Sequence, residues 1–233
     1  MPVHRNATGC YFTKRMSGVS AAGAPGNTLR NLAKRTDFGM NSPISPLTPP
    51  PQQKILPSRK CVIVFGPESS GSKLVAKIIA HVLDVQSFGD WNGAGWCVGE
   101  QHRVCHRSLP FGATPQFPDV AAMIQDHREG FDLRFILTTR DQTLSQASRV
   151  ARFKKTPVQL DEESARAREI ILGILKSGWP ALVWSYETLM FLRDGYLAQL
   201  YDFLGVTSDF MPTLTDGNAA RLKQALPIAG TLP

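Results

Sequence analysis

The strongest pattern in the chain is the run Cys61-Val62-Ile63-Val64-Phe65, preceded by Lys60 and closed by Gly66-Pro67. A short, β-branched, uninterrupted apolar run predicts a strand covered on both faces. Leu74, Val75, Ile78, Ile79, Val82 and Leu83 then recur at helical spacing and predict a helix over 72–83. A Gly- and Trp-rich stretch over 89–99 reads as a loop. Val120, Met123 and Ile124 share one face of a helix predicted over 118–128, with Pro118 in its first turn. Leu133 to Thr139 predicts a second buried strand, and a helix follows over 143–154. A long helix is predicted from Leu160, with Asp161, Glu162 and Glu163 in its first turn and Lys176 in its last, as the macrodipole favours. Ala181 to Ser185 predicts a third short strand. Leu197, Leu200, Tyr201 and Leu204 predict a helix over 195–204 that stops at Gly205. Strands alternating with helices predict a three-layer α/β fold, a mainly parallel central sheet flanked by helices.

Residues 1–58 break this pattern. They show no sustained period, and Pro43, Pro46, Pro49, Pro50, Pro51 and Pro57 exclude a helix or a central strand there. The expectation is a disordered basic, Pro-rich tail or an organelle transit peptide over 1–58, followed by one globular domain over 59–233. Charge sharpens that division. The chain carries +7 overall, yet residues 1–60 hold nine Lys/Arg and a single acid, Asp37, while the remainder holds 17 basic and 18 acidic residues. The basicity belongs to the tail, so the folded part offers no basic face and no nucleic-acid partner is expected. With 42% apolar residues the chain can build a core, and its apolar runs are only a few residues long, against roughly 18–20 for a bilayer span. A soluble protein of the cytoplasm or an organelle is expected. Cys97 and Cys105 share a short stretch with His102 and His106, but they form no paired Cys motif, and no metal is expected.

The candidate chemistry lies between the first strand and the first helix, in Gly66-Pro67-Glu68-Ser69-Ser70-Gly71-Ser72-Lys73. Two glycines let backbone N–H groups converge, a helix N-terminus adds its positive end, and Ser69, Ser70 and Ser72 add hydroxyls. This is a phosphate site in the required strand–loop–helix context. A nucleoside-triphosphatase P-loop needs Gly-Lys-Ser/Thr, whereas the order here is Gly71-Ser72-Lys73. One step along a helix rotates the lysine by about 100°, away from such a cradle. An ordinary ATPase or GTPase is disfavoured.

The loop resembles the 5′-phosphosulfate loop of sulfotransferases that use 3′-phosphoadenosine 5′-phosphosulfate (PAPS). Their usual Gly-x-Pro-Arg-Ser-Gly-Thr-Thr-Leu reads here Gly66-Pro67-Glu68-Ser69-Ser70-Gly71-Ser72-Lys73-Leu74 without a gap, with Ser69 at the place of the usual basic residue and Glu68 beside it. Two further segments follow in order. Phe135-Ile136-Leu137-Thr138-Thr139-Arg140, with Ser148 after seven intervening residues, is similar to the family's 3′-phosphate site. Tyr186-Glu187-Thr188-Leu189, followed by Phe203-Leu204-Gly205, is similar to its closing segment.

The resemblance implies a P-loop-type fold and transfer of a sulfuryl group from PAPS, as co-substrate, to a hydroxyl or amine of a sugar, phenol or lipid-like acceptor. Ser69, Ser70, Gly71, Ser72 and Lys73 would hold the 5′-phosphate and sulfuryl end, and Arg140 and Ser148 the 3′-phosphate, with Tyr186 nearby. Lys73 is also a candidate to stabilise the bridging oxygen. For the general base the chain offers Asp90, in a glycine-flanked loop, and His106, with Glu100 as a third choice. The alternatives are a small P-loop kinase of nucleosides or metabolites and a non-catalytic nucleotide-binding protein.

Overall fold

The structure, a computed structural model, describes residues 59–88, 95–112, 114–219 and 221–222. The tail over 1–58 and Asp90 lie outside the described residues. Five strands form one sheet in the order β2-β3-β1-β4-β5: β1 Lys60–Pro67, β2 Trp96–Val98, β3 Arg103–Leu109, β4 Asp132–Thr139 and β5 Ala181–Ser185. All neighbours run parallel except β2, which is antiparallel to β3. The helices are α1 Ser72–Val82, α2 Val120–His127, α3 Gln142–Phe153, α4 Pro157–Lys176, α5 Tyr186–Leu192 and α6 Asp194–Leu204.

The central strand shows why the first apolar run has no polar positions. Val62 and Val64 face one layer, packing with Val75 and Ile79 of α1 and Leu197 and Leu200 of α6. Cys61, Ile63 and Phe65 face the other, with Val120 and Ile124 of α2 and Ala167, Ile170 and Ile174 of α4. Both faces are covered, so alternation between faces leaves no position in water. The three-layer α/β architecture read from the sequence is the one found. Among the described residues no helix is long and apolar enough to cross a membrane.

Several elements differ from the sequence reading. β2 and β3 lie in a stretch that gave no strand signal, because β3 carries Arg103, His106 and Arg107 among its seven residues. α5 was hidden by its length of seven residues. α2 is capped by Asp119, whose carboxylate accepts from the Ala122 N–H, so Pro118 stands before the helix and outside its first turn. α4 begins three residues earlier than Leu160, at Pro157, under a capping box made by Thr156 and Gln159. Its first turn therefore holds no acid, and Asp161 to Glu163 sit one turn further in. The box satisfies the free N–H groups that the acids were expected to neutralise.

One contact sets the position of the candidate loop. Gly66, at the end of β1, faces Thr138 of β4, and a Cβ there would stand 1.8 Å from Thr138 Oγ1, 2.5 Å from Ser70 Oγ and 2.8 Å from the Thr138 carbonyl. The vacancy lets Thr138 donate to the Phe65 carbonyl (3.2 Å), leaving Ser70 to donate to Thr138 Oγ1 (2.6 Å). Gly66→Ala is therefore predicted to cost about 3 kcal/mol of stability, because one of the three obstacles is backbone and cannot rotate away. Urea unfolding of the full chain checks this.

Candidate functional site

The loop after β1 is shaped by two left-handed residues, Ser69 (φ 66°) and Gly71 (φ 84°), with Ser70 N–H closing a turn onto the Pro67 carbonyl at 3.1 Å. Gly71 serves as N-cap of α1 without any side-chain cap, so the first N–H groups of the helix face outward with no intrahelical acceptor. Gly71 is also required by packing, since a Cβ would meet the Tyr186 ring at 2.7 Å. Of the predicted hydroxyls, Ser70 is buried and committed to Thr138, and Ser72 is buried with its Oγ 3.0 Å from His106 Nε2. The Ser69 hydroxyl is shielded from solvent and has no hydrogen-bond partner among the described residues.

Arg140 leaves the end of β4 directly over this loop. Its NH1 donates to the Ser69 carbonyl (2.7 Å), and its guanidinium lies 4.7 Å from the centre of the Tyr186 ring. Its Nε and NH2 both donate to Asn218 Oδ1, at 2.8 and 2.5 Å. The loop, Arg140 and Tyr186 are distant in sequence and in direct contact here. Asn218 was not foreseen. It lies in a C-terminal stretch without periodicity, and nothing in its sequence context marks it.

His106 reaches the site because β3 runs parallel to β1 in a register that pairs His106 with Val64. Its side chain leaves the face covered by α1 and meets that helix at its first residue, Ser72. Burial, reinforced by Arg107 and then Lys73, pushes its pKa down to about 4. The imidazole is therefore neutral near pH 7 and able to accept a proton. Lys73 itself is exposed, so its charge acts on the site from the solvent side.

Glu68 raised the prospect of a negative charge beside the anion site, and the structure turns it inward. Lys155 Nζ lies 2.6 Å from Glu68 Oε2 and 2.7 Å from Glu163 Oε2, while Arg149 pairs with Glu163 and lies 3.6 Å from Glu68 Oε2. Two acids and two bases cancel, and the Arg149 side chain is only 1% exposed. Ser145 adds a bond to the Glu68 carbonyl at 3.1 Å. The cluster bolts the loop to α3 and α4 and neutralises the charge of Glu68.

Other predicted residues do not join. Ser148 is buried on α3, and its hydroxyl makes no hydrogen bond to the loop or to Arg140. Glu100 sits exposed between β2 and β3, at the end of the sheet opposite the loop, too far away to act as a base there. His102, held by the Lys60 N–H at 3.0 Å, is at that same end, four strand residues or roughly 13 Å from His106. Among the described residues no group of three or more His, Cys, Asp or Glu side chains converges as a metal site. Comparison with described protein families and with curated proteins gives no match for this chain.

Arg149→Met should lose about 3 kcal/mol in urea unfolding, because it leaves the buried carboxylates of Glu68 and Glu163 sharing the single charge of Lys155. Much of that should return when Glu163→Gln removes one of the two carboxylates. His106 gives a signed pH effect. Its folded pKa is below the ordinary value of 6.5, so the unfolded chain binds the extra proton first and stability falls as pH drops from about 6.5 toward 4. Thermal melts of His106→Gln should show less of this acid loss than the unsubstituted chain.

Proposed function

We propose that the chain is a sulfotransferase that moves the sulfuryl group of PAPS to a hydroxyl or amine acceptor, a sugar, phenol or lipid-like small molecule. The observation that carries the reading is contact among the three segments on which the resemblance rests. Arg140 bonds the Ser69 carbonyl of the loop, and the Tyr186 ring packs against Gly71 and beneath Arg140. A guanidinium fork bonded to the loop, and an uncapped helix start at the end of that loop, suit a nucleotide that carries phosphate at two places.

In the proposed reaction the acceptor loses its proton as its oxygen or nitrogen bonds to sulfur. The bond from sulfur to the 5′-phosphate oxygen breaks, and 3′,5′-phosphoadenosine leaves. The N-terminal N–H groups of α1 would stabilise the charge gathering on the leaving phosphate. His106, neutral and hydrogen-bonded to Ser72, is the base that the described residues offer. Asp90 is the other candidate and lies outside them.

Titration of the full chain with 3′,5′-phosphoadenosine in metal-free buffer tests the reading. Binding is expected without metal and should weaken roughly 10–100-fold in Arg140→Ala, the loss of a charge-assisted pair. Binding of ATP that requires Mg²⁺, with none of the bisphosphate, would replace the proposal with the kinase alternative.

A further inference from the structure

Arg140 is the cation on which the proposed nucleotide site depends, yet the protein already fills its fork. Nε and NH2 converge on one oxygen, Asn218 Oδ1, in the two-donor arrangement with which a guanidinium grips an anionic oxygen. The partner here is neutral. Among the described residues no carboxylate lies within ion-pair distance of Arg140, and its other acceptor, the Ser69 carbonyl, is neutral too. A half-buried guanidinium held by neutral oxygens keeps an unmet demand for an anion.

The segment that supplies Asn218 lies outside the sheet and the helices α1 to α6, and the Asn218 carbonyl accepts from the N–H groups of Arg221 and Leu222 beyond it. Thr215, Asp216 and Gly217 are exposed and belong to no helix or strand, and Ala219 beyond is exposed as well. Asn218 alone is buried, at 7% exposure. Its amide is oriented by Nδ2–H donating to Glu187 Oε1 at 3.4 Å, and the backbone is tied by the Gly217 N–H to the Tyr186 hydroxyl at 2.7 Å. Asp216 and Asn218 also border a cleft of about 610 Å³ beside Phe191 and Leu192 of α5, so open space adjoins the segment.

We infer that residues 215–218 form a displaceable plug, in which the Asn218 carboxamide oxygen stands where a phosphate oxygen of the ligand sits against Arg140. This rests on the proposed nucleotide site and adds its regulation: the ligand competes with a built-in neutral mimic, and its apparent affinity is lowered by the fraction of time the plug is seated.

Two substitutions in the full chain have opposite expected signs. Asn218→Ala removes the mimic and should tighten binding of 3′,5′-phosphoadenosine about fivefold or more. Asn218→Asp gives Arg140 a carboxylate and should weaken it about tenfold or more. Pyrophosphate serves as a second probe in both variants. If the bisphosphate binds and Asn218→Ala leaves its affinity unchanged or weakens it, Asn218 is a support and the plug is overturned while the nucleotide site stands. If pyrophosphate alone binds and follows the two signs, the plug stands and the sulfotransferase reading falls. Silence from both probes in the unsubstituted chain and in Asn218→Ala overturns both.

Discussion

The candidate site depends on the absence of a side chain at Gly66. Because nothing projects there, Thr138 can press against the end of β1 and bond both Phe65 and Ser70. That contact fixes where the chain turns out of the sheet and where α1 begins. It also fixes the spacing between the ends of β1 and β4, and so brings Arg140, two residues beyond Thr138, over the loop. Any side chain at position 66 would push these parts away from one another.

A second constraint is electrostatic. The loop carries an acid next to the place where an anion would bind, and the fold removes its effect by burying it against Lys155 and Arg149. Charge cancellation within that cluster leaves Arg140 and the free N–H groups of α1 as the charges presented outward. The same partition acts on His106, which sits among cations and low-dielectric surroundings and is kept neutral. The paired ions of the Glu68 cluster face inward, and Ser70 and Ser145 bond the loop to the scaffold.

Much of this was legible in the sequence where burial is total. The Cys61–Phe65 run reads as a buried strand and the spacing from Leu74 to Leu83 as a helix, and β1 and α1 are both found. The turn from β1 into α1 was legible because Gly and Ser separate the apolar run from the helical spacing. What could not be read is what depends on pairing across the fold. β3 is a strand because β1 and β2 hold it, despite three cationic or imidazole side chains. The destination of Glu68 depends on Lys155, 87 residues away, and Asn218 meets Arg140 across 78. No local pattern encodes either contact. Ser148 lies at the expected spacing, buried on α3, and its hydroxyl makes no hydrogen bond to Arg140 or the loop.

The most direct test of the joint site is hydrogen exchange on the full chain with and without 3′,5′-phosphoadenosine. Ligand should slow exchange together at the loop and start of α1, around Arg140, and at Tyr186. Protection confined to one of those three segments, or lying elsewhere in the chain, would contradict the assignment of all three to a single nucleotide site.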